Sequence, residues 1–137
     1  MKIKTYSEEE TIEFGRQFAK RLKKGDVLAF YGELGSGKTT LIKGIVEGLS
    51  YKKPIKSPSF IIVAVYPSEI PIYHIDLYRL NNIKEIDNIG LLEYIYGDGI
   101  SLIEWAEKIE ELLPKKRINI KISIISEKER EIEIEEF

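Results

Sequence analysis

The sequence has no cysteine among its 137 residues. Disulfides, thiol nucleophiles and thiolate metal sites are therefore excluded, and a cytoplasmic location is compatible with that. Arginine is scarce, with five in all, which argues against an enzyme that clamps an acceptor and closes a lid with several guanidinium groups. No apolar run approaches the roughly 20 residues of a membrane-spanning helix, and no N-terminal signal pattern is present, so no membrane association is expected. The net charge of −2 and a pI near 5.6 exclude a whole-molecule electrostatic grip on nucleic acid. What is present is globular in character. A hydrophobic fraction of 43% and this length suffice for one cored domain spanning residues 1–137.

The chain is organised around Gly32-Glu33-Leu34-Gly35-Ser36-Gly37-Lys38-Thr39, which meets the phosphate-loop pattern G-x-x-x-x-G-K-[ST] at every fixed position. The chain's own residue usage gives a random match about once in a hundred such chains. The setting strengthens it. Val27-Leu28-Ala29-Phe30-Tyr31 has strand length and composition, and Leu41, Ile42, Ile45, Val46 and Leu49 recur behind the loop at helical spacing. Strand, glycine-rich turn and helix in that order form a phosphate cradle. The main-chain amides of Glu33, Leu34, Gly35, Ser36, Gly37, Lys38, Thr39 and Thr40 are the candidate phosphate donors, because a helix N-terminus carries unpaired N–H groups and partial positive charge. Lys38 supplies a mobile cation for the outer phosphates, and the Thr39 hydroxyl is placed to ligate Mg2+.

Around this centre the remaining elements fall into place. Residues 2–6 alternate as a short strand, and Ser7 with Glu10 predicts a capping box opening a helix to about Leu22. Two prolines, Pro54 and Pro58, keep Tyr51 to Ser59 from being helix or central strand. Ser57 and Ser59 there are candidate switch hydroxyls for the metal and γ-phosphate. Phe60–Tyr66 and Ile72–Tyr78 predict a hairpin, with His74, Asp76 and Tyr78 on one face. A lone strand histidine is usually a hydrogen-bonded packing residue. Short helices are expected in Asn81–Tyr96, a strand over Ile100–Glu104, a helix from Trp105 to Leu113, and a final hairpin built on Ile118–Ile124 and Ile132–Ile134. The fold class expected is α/β: a three-layer phosphate-loop fold with a central mixed sheet and a C-terminal antiparallel hairpin.

Two strands end in an acid, Asp76 and Glu104. One carboxylate is needed with Thr39 for a Mg2+ bridging the β- and γ-phosphates, and a second can position or deprotonate the attacking group. Spacing alone does not assign these roles. The guanine-reading Asn-Lys-x-Asp pattern is absent, which favours ATP over GTP. A small-molecule or nucleotide kinase is the alternative reading, weakened by the short chain and the few arginines. A nucleotide-sensing adaptor without catalysis is a further class.

Together the phosphate loop with Thr40, Ser57-Pro58-Ser59-Phe60, His74-Ile75-Asp76-Leu77-Tyr78-Arg79-Leu80 and Ile103-Glu104-Trp105-Ala106-Glu107 resemble the TsaE (YjeE) family of bacterial ATPases, over nearly the whole chain. The resemblance implies ATP hydrolysis with a partner complex of TsaB and TsaD, in making N6-threonylcarbamoyladenosine on tRNA, so that tRNA is met through the partners. It implies phosphate binding by Lys38, Mg2+ ligation by Thr39 and Glu104, and a requirement for Asp76 in hydrolysis. It also implies a first switch over Ser57 to Phe60, and places Trp105, the segment Ser7 to Thr11 and Arg130 near the nucleotide. The family usually has threonine where Ser59 stands and often proline where Ala106 stands.

Overall fold

The computed structural model describes residues 1–49, 63–81 and 90–137. In chain order these form β1 (Lys2–Thr5), α1 (Glu8–Ala19), β2 (Val27–Tyr31), α2 (Lys38–Gly48), β3 (Val63–Tyr66), β4 (Ile72–Asp76), α3 (Leu91–Ile95), β5 (Ile100–Glu104), a 3-10 segment (Ala106–Leu112), β6 (Ile118–Ile124) and β7 (Arg130–Glu136). The candidate switch hydroxyls Ser57 and Ser59, residues 60–62 of the expected strand Phe60–Tyr66 and residues 82–89 of the expected helical stretch Asn81–Tyr96 lie outside the described residues.

The strands make one mixed sheet in the order β1-β7-β6-β2-β5-β4-β3. Its centre, β6-β2-β5-β4, is parallel. The two margins are antiparallel: β3 pairs with β4, and β7 with both β6 and β1. Over the described residues the expected mixed sheet and hairpin pairings form, with the second strand of the first hairpin ending at Asp76, short of the expected Tyr78. Alternation along β2 shows why the fold has three layers. Leu28 and Phe30 face one apolar cluster with Leu41, Ile42 and Ile45 of α2, while Val27 and Ala29 face a second with Leu91 and Ile109. All nine are buried, and each fully buried large aliphatic or aromatic side chain contributes about 1.5–3 kcal/mol.

Local chemistry sets the elements. Ser7 caps α1, its hydroxyl accepting from the Glu10 N–H at 3.1 Å. The reciprocal half of the expected box lands one residue early, with Glu10 Oε1 accepting from the Tyr6 N–H. The first helix ends at Ala19, short of Leu22, as Lys20, Arg21 and Leu22 donate to the i−3 carbonyls of a tightening last turn. Glycines bring α1 hard against α2. A Cβ on Gly15 would come within 2.7 Å of the Leu41 carbonyl, and one on Gly44 would strike the carbonyl of Ile12. The expected helix after Trp105 is instead a 3-10 run kinked at Ile109 (φ −132°). Its apolar positions Ile109 and Leu113 still reach the second cluster.

One consequence governs function. In a parallel sheet all strands end at the same edge, and ligand sites form there. β2, β4 and β5 deliver the phosphate loop, Asp76 and Glu104 to that edge. The register pairs of Thr5 and Ile124 with Arg130 bring the entry to α1 and the start of β7 there too.

Candidate active site

The phosphate loop leaves β2 through Gly32 and enters α2 at Gly37, whose φ of 105° is open to glycine and strained for other residues. Gly32 is constrained by space as well, since a Cβ would lie 2.7 Å from the Ile122 carbonyl and from Ser36 Oγ. The N-terminus of α2 has no side-chain cap and no acid in its first turn. Its N–H groups and partial positive charge are thus left for an anion. The Ser36 hydroxyl is buried in the loop without a hydrogen-bond partner among the described residues.

Lys38 is 5% exposed. Its Nζ donates to the Gly32 carbonyl at 2.5 Å and lies 3.7 Å from the centre of the Trp105 ring. Both partners are neutral, so the ammonium is held in place without being neutralised by direct contact. Burial pushes its pKa below the ordinary lysine value, with Glu104, Glu107 and Asp76 pulling the other way. Trp105 reaches this position from a left-handed backbone (φ 60°), the one positive-φ residue other than glycine among those described. Its ring is tilted against Tyr78 at 5.3 Å.

Asp76 and Glu104 are paired in register at the ends of β4 and β5. Glu104 is buried, with one oxygen accepting from the Thr39 hydroxyl at 3.2 Å and the other 2.6 Å from His74 Nε2. Asp76 is half-buried, and Oδ1 accepts from the Tyr78 N–H at 3.0 Å. Desolvation raises its pKa above the usual carboxylate value; the Tyr78 N–H opposes this and the Glu104 charge adds to it.

Two clefts meet over the loop. One, of about 320 Å³, is lined by Lys38, Thr39, Asp76, Tyr78, Glu104 and Trp105, with Leu34 at its rim. The other, of about 420 Å³, is lined by Ser7, Glu8, Glu9, Thr11, Glu127, Lys128 and Arg130. Gly35, Gly37 and Thr40 line both. The sequence-based candidates on the described residues are thus brought together, though Arg130 plays an unexpected part. Its guanidinium donates to the carbonyls of Ser36 (2.9 Å), Ser126 (2.8 Å) and Glu129 (2.9 Å), so it ties the last hairpin to the phosphate loop. Glu33 likewise serves the loop itself, its carbonyl accepting from the Ser36 N–H.

The donor set suits Mg2+. Thr39 and Glu104 offer oxygen ligands beside an anion-binding helix end. Among the described residues no group of three or more His, Asp or Glu forms a protein-only cage. A hydroxyl and one carboxylate, with phosphates and water completing the shell, is how this hard cation is commonly held. Sequence reasoning passed over His74 as a packing residue. The available signal was its position two residues before Asp76 on the same strand face. Its partner came from another strand and could not be read.

A family model described as "Threonylcarbamoyl adenosine biosynthesis protein TsaE" matches residues 5–132. The tRNA threonylcarbamoyladenosine biosynthesis protein TsaE of Bacillus subtilis (strain 168) is 43% identical over 133 residues, covering 96% of this chain and 83% of that one. The protein of the same name from Treponema pallidum (strain Nichols) is 34% identical over 134 residues, covering 98% and 99%. The crystal structure of Bacillus subtilis YdiB superposes with a TM-score of 0.81 at 40% identity, covering 96% of this chain and 82% of that one. With the phosphate loop and its two acids at one sheet edge, this likeness extends over nearly the full length, and the chain belongs to the TsaE family of tRNA threonylcarbamoyladenosine biosynthesis proteins.

Proposed function

We propose that the chain is a Mg2+-dependent ATPase subunit of the machinery that makes N6-threonylcarbamoyladenosine on tRNA, working in the cytoplasm with TsaB and TsaD. The observation that carries this reading is the convergence of Lys38, Thr39, Asp76 and Glu104 on one cleft beside the uncapped start of α2. In this reading the loop amides and Lys38 bind the phosphates, while Thr39 and Glu104 hold Mg2+. When bound, the ion neutralises charge on the β- and γ-phosphates. Asp76 orients the attacking water through the carboxylate oxygen not engaged by Tyr78, and accepts its proton. A carboxyl with a raised pKa suits that task better than an ordinary one. Trp105 walls the site beside Lys38, and Arg130 holds the loop in its binding shape.

The described residues give no arginine free to stabilise charge on a transferring phosphoryl group: Arg130 is spent on carbonyls, and Arg16, Arg21 and Arg117 are in ion pairs with glutamates; Arg79 has a partner as well. Phosphoryl transfer without such a charge is slow, so turnover by the chain alone should be weak and should rise with its partners. The test is phosphate release from ATP and GTP, with and without purified TsaB and TsaD, in the presence and absence of candidate acceptors. Stimulation of ATP hydrolysis by the partners is expected. Transfer of the phosphoryl group to an acceptor would instead support a kinase, and nucleotide binding without turnover under every condition an adaptor.

A further inference from the structure

We propose that His74 is a positioning residue for Glu104, fixing the carboxylate so that one oxygen faces Thr39 and the nucleotide cleft. The proposal rests on the reading that Thr39 and Glu104 hold Mg2+.

His74 lies in β4 and is fully buried. Its neighbour in register on β5 is Leu102, two residues before Glu104, so the imidazole reaches diagonally along the sheet face to the acid. Nε2 stands 2.6 Å from Glu104 Oε2, while Oε1 accepts from Thr39. An ionised carboxylate only accepts, so Nε2 carries the hydrogen of this bond. The other ring nitrogen, Nδ1, is buried with no partner among the described residues. An apolar side chain would fill this place without stranding a polar atom. What the imidazole adds is the bond to Glu104. That bond divides the carboxylate's labour: Oε2 is committed to the sheet, and Oε1 is kept on the Thr39 side. Without it, Glu104 can turn about its terminal torsion and Oε1 loses its fixed aim. Partners behind a metal ligand commonly act in this way.

The experiment is calorimetric titration of ATP, with and without Mg2+, into the intact chain, His74→Asn and His74→Gln. Glutamine can present an amide N–H near the Nε2 position; asparagine is too short to reach Glu104. We expect Mg2+ to tighten ATP binding by the unaltered chain. His74→Asn should lose about 10- to 100-fold of that gain while keeping its Mg2+-free affinity, and His74→Gln should recover most of the loss. Unchanged Mg2+ dependence in His74→Asn overturns the proposal, as does equal loss with and without Mg2+, or glutamine performing no better than asparagine. If the unaltered chain binds ATP with no Mg2+ effect at all, the metal reading itself fails, a distinct outcome. Should His74→Asn not fold, the native chain supplies the answer. It has one histidine, so its imidazole gives a single Nε2–H resonance. That resonance should shift when Mg2+ is added to the ATP complex and move again in Glu104→Gln. A resonance indifferent to both overturns the proposal.

Discussion

β4 and β5 both end in a carboxylate, the two acids are paired in register, and they face the same cleft. Their surroundings nevertheless differ. Glu104 is buried, each oxygen held by a side chain from another element, Thr39 of α2 and His74 of β4. Asp76 is half-buried and held by one local main-chain N–H, with its pKa raised by desolvation. A carboxylate locked at both oxygens is suited to hold something still. One tethered at a single oxygen, with its ionised form disfavoured, is suited to exchange a proton. Residues of like chemistry, paired across two strands, thus acquire different chemical character from what packs behind them.

The strongest way to break this contrast is to remove the proposed anion site beside both acids. Lys38→Ala should abolish detectable ATP binding or turnover, measured by calorimetry and phosphate release; turnover at the unaltered rate would exclude this loop as the site. Next comes Asp76→Asn, which should slow hydrolysis with the partners by about 10²–10⁴-fold and leave Mg2+-ATP affinity nearly intact. A matching fall in affinity would mean that Asp76 holds the ion as well. Glu104→Gln should show the opposite bias, weakening Mg2+-dependent binding by about tenfold or more, by analogy with groups behind metal ligands, while sparing Mg2+-free binding. Equal loss in both would remove Glu104 from the metal shell.

The smallest effect is on stability. Because the Asp76 pKa is raised in the folded chain, the folded state holds its proton more tightly than the unfolded one. Its contribution is therefore most favourable at acid pH and declines as pH rises through the unfolded and then the folded pKa. Asp76→Asn should accordingly unfold at a higher temperature than the parent at neutral pH, with the difference shrinking on acidification. A lower unfolding temperature at neutral pH would show that the Tyr78 contact outweighs desolvation. The same desolvation implies that the acid limb of the pH–rate profile with partners lies above the ordinary aspartate range.

Much of this arrangement was legible in the residues. The glycines, lysine and threonine of 32–39 announce their own geometry, because a phosphate cradle is a local device within one strand-turn-helix unit. Ser7 as a cap and the strand hairpins were legible for the same reason. The 3-10 run after Trp105 was not, since its apolar spacing fits an α-helix, whereas the chain kinks at Ile109, which packs with Val27 and Ala29 of β2 and Ile103 of β5. The extra turn expected of the first helix was also lost to local tightening at its end.

What the chain determined by itself was therefore the phosphate-loop geometry, the alternation that buries both faces of the sheet, and the presence of an acid at the end of each of two strands. Which acid is locked and which is left responsive was decided only in three dimensions. His74 and Thr39 stand 30 and 65 residues from Glu104 in the chain, and Arg130 stands 94 from the Ser36 carbonyl it holds. Contacts across such separations depend on strand order and register, and a pattern of residue types along one segment carries no record of the neighbour that a sheet will set beside it.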